Sequence, residues 1–256
     1  TFETIARASQ PRLSATHTDA GSAVTIYTDR ASTSFTHTVR YTLGNASGTI
    51  ATSVTTSVGW TLPMSLLNQI PNSATGYGHI YLDTYSGSTK IGTKSVAFAV
   101  RAPDSSAPTF TSASFTEGSS AVAALSLGSG RYVQGVSRLN FSVTGASPTY
   151  GAGIDKYEVL VGSTLLGSSV TSSGTATVGI PLSGTVSVRV RLTDTRGLTG
   201  YKDYSLTVLA YSSPGASIST TRSDSSGAIK EDGDYARVTL SGTVSSLTTS
   251  GCIGQA

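Results

Sequence analysis

Proton transfer near neutral pH usually falls to a histidine held against a carboxylate or a serine. This 256-residue chain has three histidines, His17, His37 and His79, and one thiol, Cys252. No G-x-S-x-G elbow occurs among its many serines. His37 lies in the series Phe35, His37, Val39, Tyr41, Leu43, which alternates with Thr36, Thr38, Arg40 and Thr42. That rhythm predicts a half-buried histidine on a sheet rather than a base in a cleft. His79 follows Gly76-Tyr77-Gly78, which reads as a surface loop. No two histidines stand at ligand spacing and Cys252 is alone, so zinc is not expected. Glu231-Asp232-Gly233-Asp234, with Asp224 upstream, offers the hard oxygens calcium takes. Its spacing fits no EF-hand, and the same residues suit turns. The chain is expected to be no enzyme, with no catalytic, metal or cofactor-binding residue.

Binding chemistry is better represented. Saccharides are commonly held by an aromatic platform with polar neighbours, and tyrosine combines an apolar ring with a hydrogen-bonding tip. Tyr77, Tyr81 and Tyr85 gather around a glycine-rich loop near Trp60 in sequence, and they are the candidate glycan-binding residues. Trp60, beside the apolar run at 64–67, is expected in the core. Tyr150 and Tyr201 fall at loop edges.

The elements that would position these residues are strands. In Thr185 to Pro214, Val186, Val188, Val190 and Leu192 alternate with Ser187, Arg189 and Arg191. Asp194-Thr195-Arg196-Gly197 then supplies a turn, and Tyr204, Leu206 and Val208 resume the alternation. Ser212-Ser213-Pro214 ends this hairpin, since proline cannot donate to a ladder. A similar hand-over follows Val96, Phe98 and Val100, at Ala102 to Pro108. The pattern predicts an all-β chain of tandem Ig-like antiparallel β-sandwich domains, with one short helix in the first. The domains expected are 1–102, with the helix near 63–70 between Pro63 and Pro71, then 108–210. An incomplete third β module follows at 214–256, too short for a seven-strand sandwich. No heptad pattern argues for a coiled-coil trimer, which leaves a homo-oligomer open.

Charged residues make up 12% of the chain and the net charge is +3, with lysine and arginine scattered. No basic run could track a phosphate backbone, so nucleic acid is not an expected partner. No apolar run approaches the roughly 20 residues that span a bilayer, so membrane insertion is not expected. With a single cysteine, no disulfide can form within the chain, and core burial must hold each module. TFETIARASQ lacks the apolar core of a signal peptide, so a chain that works outside a cell is expected either to have lost its leader or to leave by lysis rather than secretion.

Several phrases carry a resemblance. ARAS at 6–9, SFTHTVRYTLGNASGTIA at 34–51 and GWTLPMSLLNQIPNSATGYG at 59–78 resemble the minor structural or tail-tip proteins of tailed siphophages of Gram-positive hosts. TDTRGLTGYKDYSLTVLAYSSP and RSDSSGAIKEDGDYARVTLSGTVSSL resemble modules that follow in such proteins. The resemblance implies a non-enzymatic virion component, assembled in the host cytoplasm and working outside the cell. It would act as spacer and host-surface adhesion module, with other tail proteins as partners and a host-surface glycan as ligand. Two alternatives use the same modules: a bacterial cell-surface adhesin stalk, and the accessory binding domains of a cell-wall-degrading enzyme. The resemblance brings no catalytic or ligand residues with it.

Overall fold

A computed structural model describes residues 7–247, so Cys252 lies outside the described residues. The alternation of Phe35 to Leu43 becomes a nine-residue strand with Phe35, His37, Val39 and Leu43 turned inward. It sits in a five-stranded sheet in the order His17–Asp19, Thr89–Arg101, Thr75–Ser86, Phe35–Leu43, Ala46–Val54. A three-stranded sheet of Arg12–Leu13, Ala23–Tyr27 and Ser57–Thr61 faces it. Val24, Ile26 and Trp60 from the smaller sheet meet Val39, Ile80, Leu82, Phe98 and Val100 from the larger. Trp60 is the hub of this core as expected, with Tyr41 and Phe98 ring centres 5.0 and 5.5 Å from its own. Each fully buried aliphatic side chain contributes about 1.5–3 kcal/mol to such a core.

The short helix forms at Met64–Gln69 and docks through buried Leu66 and Leu67. It is 3-10 rather than α: Leu66 N–H donates to Pro63 O, and Ile70 N–H to Leu67 O. Pro63 and Pro71 bracket too few residues for a run of i→i+4 bonds. Two shorter helical turns, Asp104–Ser106 and Ser120–Ala123, were not expected. Segments of three or four residues are too brief to leave a helical period in the sequence.

The second module repeats the plan. Its five-stranded sheet runs Arg131–Val133, Thr199–Leu209, Gly184–Asp194, Ile154–Val161, Thr164–Ser169. Opposite lie Ser173–Thr175, Leu139–Thr144 and Ser112–Glu117. Leu139, Phe141 and Val143 pack on Val159, Val186, Val188 and Val190. These are tandem Ig-like sandwiches, and in both the first strand of the large sheet lies parallel to the last. Beyond them, Gly215–Ser223 and Tyr235–Thr243 form a hairpin that pairs Ile218 with Leu240, both exposed.

Between the modules, the Asp194–Gly197 turn faces the first module. Thr195 Oγ1 donates to Pro71 O at 2.6 Å and accepts from Gly153 N–H at 3.1 Å. Tyr150 packs against the first module's core. Arg196, fully buried, is held by Asp194 at 3.3 Å and donates to the Thr149 carbonyl. Thr149 Oγ1 donates in turn to Ser106 O at 2.7 Å.

Candidate functional site

Tyr77, Tyr81 and Tyr85 do not surround a loop: all three stand on the twelve-residue strand Thr75–Ser86. Gly76 and Gly78 suggested a loop, yet they are inward strand positions with no room for a side chain. A Cβ on Gly78 would come 2.3 Å from Thr42 O and 2.7 Å from the Phe98 ring; on Gly76 it would come 2.5 Å from Ile70. Here glycine marks close packing rather than a bend. His79 is exposed, as expected of a surface residue, but on the strand.

Because side chains alternate, Tyr77, His79, Tyr81, Asp83 and Tyr85 project from one outer face. Successive tyrosines are about 13 Å apart, four residues at roughly 3.3 Å each. Tyr77 is 72% exposed, with the His17 ring edge-on at 6.3 Å between centres. Tyr81 and Tyr85 are half-buried. The register places Thr36 and Lys90 opposite Tyr85, Thr38 and Thr93 opposite Asp83, and Arg40 and Ser95 opposite Tyr81.

Asp83 is the electrostatic centre of this face. Arg40 grips it with two bonds, Nε to Oδ2 at 2.7 Å and Nη2 to Oδ1 at 3.0 Å. Lys90 Nζ lies 2.9 Å from Oδ1, and Thr93 Oγ1 donates to the same oxygen at 2.6 Å. The Arg40 fork, aided by Thr93 and Lys90, outweighs burial and holds the Asp83 carboxyl well below the usual carboxylate range. The Arg40 guanidinium lies 5.4 Å from the centre of the Tyr81 ring.

This grouping recurs. The chain contains three Tyr-x-Asp triplets, 27–29, 81–83 and 201–203. In every one, an arginine on the neighbouring strand grips the aspartate with Nε and Nη2 and lies against the tyrosine. Arg12 reaches Asp29 at 3.0 and 3.3 Å, with its guanidinium 4.2 Å from the Tyr27 ring centre. Arg189 reaches Asp203 at 2.8 Å twice, 3.8 Å from the Tyr201 ring centre. In 81–83 and 201–203, residues two apart on a strand share a face, so tyrosine and aspartate stand side by side for one arginine to span; Asp29 lies just past the end of its strand. The triplet was visible in the sequence; its arginine, supplied by another strand, was not.

His37 does meet a serine. Its Nε2 lies 2.8 Å from Ser9 Oγ and its Nδ1 2.9 Å from Val54 O. A carbonyl can only accept, so Nδ1 carries the proton and Nε2 accepts from Ser9. Ser9 Oγ accepts in turn from Ala31 N–H at 3.1 Å. Burial, opposed by the Val54 bond, lowers the His37 pKa and keeps the ring neutral. The pair is only 0% and 1% exposed, and the position a catalytic carboxylate would take is filled by a backbone carbonyl. His37 is buried outright rather than half-buried, and it ties the N-terminal segment to the sheet. Ser9 gave no signal in the sequence, because its bond spans 28 residues.

Asp224 shapes a turn: Oδ1 accepts from Ser226 N–H, Ser226 Oγ and Ala228 N–H at 2.8, 2.6 and 3.1 Å. Among the described residues, no group of three His, Cys, Asp or Glu could hold a metal ion.

A family model described as "Siphovirus protein of unknown function (DUF859)" matches residues 1–242. No curated protein matches the chain. Among solved structures, it is similar to fibronectin(III)-like modules of CbhA from Clostridium thermocellum. There the identity is 12% over 76% of this chain and 89% of that one, with a TM-score of 0.33. It is also similar to the D1-D4 ectodomain fragment of ICAM-5, at 12% identity over 81% and 56%, with a TM-score of 0.40.

Proposed function

The chain belongs to the siphovirus protein family whose model matches residues 1–242, and from that premise we propose a non-enzymatic structural role in the virion, at the tail tip or in a tail fibre. It serves there as a spacer and as a host-surface adhesion module. The observation that carries this reading is the braced succession of sandwiches. Thr195 bonds Pro71 across the joint, while Tyr150 packs on the first core. Such a joint favours one orientation between modules and suits a part that holds its far end away from its base. The sealed Ser9–His37 pair supports a role without catalysis, since no substrate reaches it. Adhesion draws its support from the exposed aromatic face of the first module. Immunogold labelling of virions with antibody against the purified chain tests the structural half, with label expected on the tail. Unlabelled virions that nonetheless contain their full set of tail proteins would overturn it. Binding of the fluorescently tagged chain to host cells tests the adhesive half; cells that stay dark would remove it.

A further inference from the structure

We propose that the outer face of the strand Thr75–Ser86 is a track for an acidic polysaccharide, stacked on Tyr77, Tyr81 and Tyr85 and held electrostatically by Arg40 and Lys90. The inference rests on the adhesive half of the reading above and names the ligand class for that face.

Three features of the face select this ligand. The tyrosines recur at every fourth residue on one face of a strand, with about 13 Å between neighbours. A row of that reach engages several rings of an extended polymer, whereas a monosaccharide could touch only one platform. The strand neighbours directly opposite Tyr81, Asp83 and Tyr85 include Ser95, Thr38, Thr93 and Thr36, short hydroxyl side chains beside the larger rings, of which Tyr77 is exposed and Tyr81 and Tyr85 are half-buried. These rings offer apolar faces to sugar C–H groups, and the hydroxyls offer hydrogen bonds.

Charge decides between a neutral and an acidic chain. Arg40 and Lys90 share one carboxylate, Asp83, which leaves an excess of one positive charge at the middle of the row. Asp83 is buried, and its oxygens already accept from Arg40, Lys90 and Thr93, so it has little to offer a sugar hydroxyl. Arg40 and Lys90 remain half-exposed and can donate outward. The face is therefore a donor surface with a positive centre, complementary to a carboxylate or phosphate carried on a sugar chain.

The test uses the whole chain on an array printed with polygalacturonate, alginate and hyaluronate as acidic polysaccharides. Dextran supplies rings without charge, and poly(glycerol phosphate) supplies charge without rings. Binding to at least one acidic polysaccharide is expected, about tenfold or more above both controls. Tyr81→Ala and Tyr85→Ala should each weaken it by about tenfold. Lys90→Gln should lower affinity and flatten its salt dependence. Tyr201→Ala removes the same kind of tyrosine from the second module, where no aromatic row accompanies it, and should leave binding unchanged. Thermal melts of each variant establish that the module stays folded. Equal binding to dextran or to poly(glycerol phosphate) overturns the ligand class. Binding of wild type and tyrosine variants alike, to the array or to host cells, overturns the site while leaving adhesion standing. Failure of the wild type to bind host cells overturns adhesion itself.

Discussion

Asp83 and His37 are two buried titratable groups in the first module, and they respond to acid in different windows. Asp83 has a folded pKa depressed below its unfolded value of about 3.9. Its contribution is present above that value and is lost as pH falls through the folded pKa. Asp83→Asn should destabilise the first module by about 1–3 kcal/mol, by leaving Arg40 and Lys90 without their counter-charge. That figure is discounted because both cations are half-exposed. The variant should also flatten the stability profile below about pH 4, as read from urea midpoints. His37 acts higher on the scale. Its folded pKa lies below the unfolded value of about 6.5, so near that pH the unfolded chain binds more protons. Stability should therefore decline as pH falls below about 6.5, and His37→Asn should remove that slope even if the protein is weaker throughout. A slope surviving in the variant would locate it elsewhere.

The strand Thr75–Ser86 tests how the elements are specified. Gly78→Ala places a methyl group 2.3 Å from a carbonyl oxygen, and should cost about 1–3 kcal/mol by denaturant titration. Gly59→Ala meets nothing within 4 Å, and should be neutral or stabilise by up to about 1 kcal/mol. Equal costs would refute the view that close packing is what demands glycine at position 78. The same pair explains what was legible. Strands such as Phe35–Leu43 and Gly184–Asp194 announce themselves because one face is buried and the other wet, which writes a period of two. Gly76-Tyr77-Gly78 hides a strand, because large side chains from Ile70 and Phe98 occupy the space where inward hydrophobes would otherwise stand. The tyrosines were identifiable by type, but their alignment followed only once the loop proved to be a strand. Arg40 and Lys90, which complete the candidate site, reach Asp83 from neighbouring strands, and local spacing carries no trace of such contacts. Asp194-Thr195-Arg196-Gly197 was legible as a turn for the right reason, the aspartate bonding later N–H groups. Its second task at the joint depends on Pro71, 124 residues away.

For the molecule as a whole, that joint should govern shape more than stability. Thr195→Val removes the bond to Pro71 and should broaden the distance distribution in small-angle scattering while both modules keep their melting temperatures. An unchanged distribution would mean that the remaining contacts at the joint, Tyr150 among them, fix the angle without it. The pairing of the first and last strands of each large sheet has a mechanical consequence as well. In each sandwich these strands lie parallel, His17–Asp19 beside Ala99–Arg101 and Arg131–Val133 beside Thr207–Leu209. Tension applied at the two ends slides such strands along one another and loads their rungs together. The hairpin of Gly215–Ser223 and Tyr235–Thr243 has both of its chain connections at one edge, where Gly215 faces Thr243, so the same pull peels its rungs one at a time. Stretched in an optical trap, the chain should give way first at this hairpin, at low force, and only later in two abrupt high-force ruptures. A chain built this way would yield at its hairpin before its sandwiches gave.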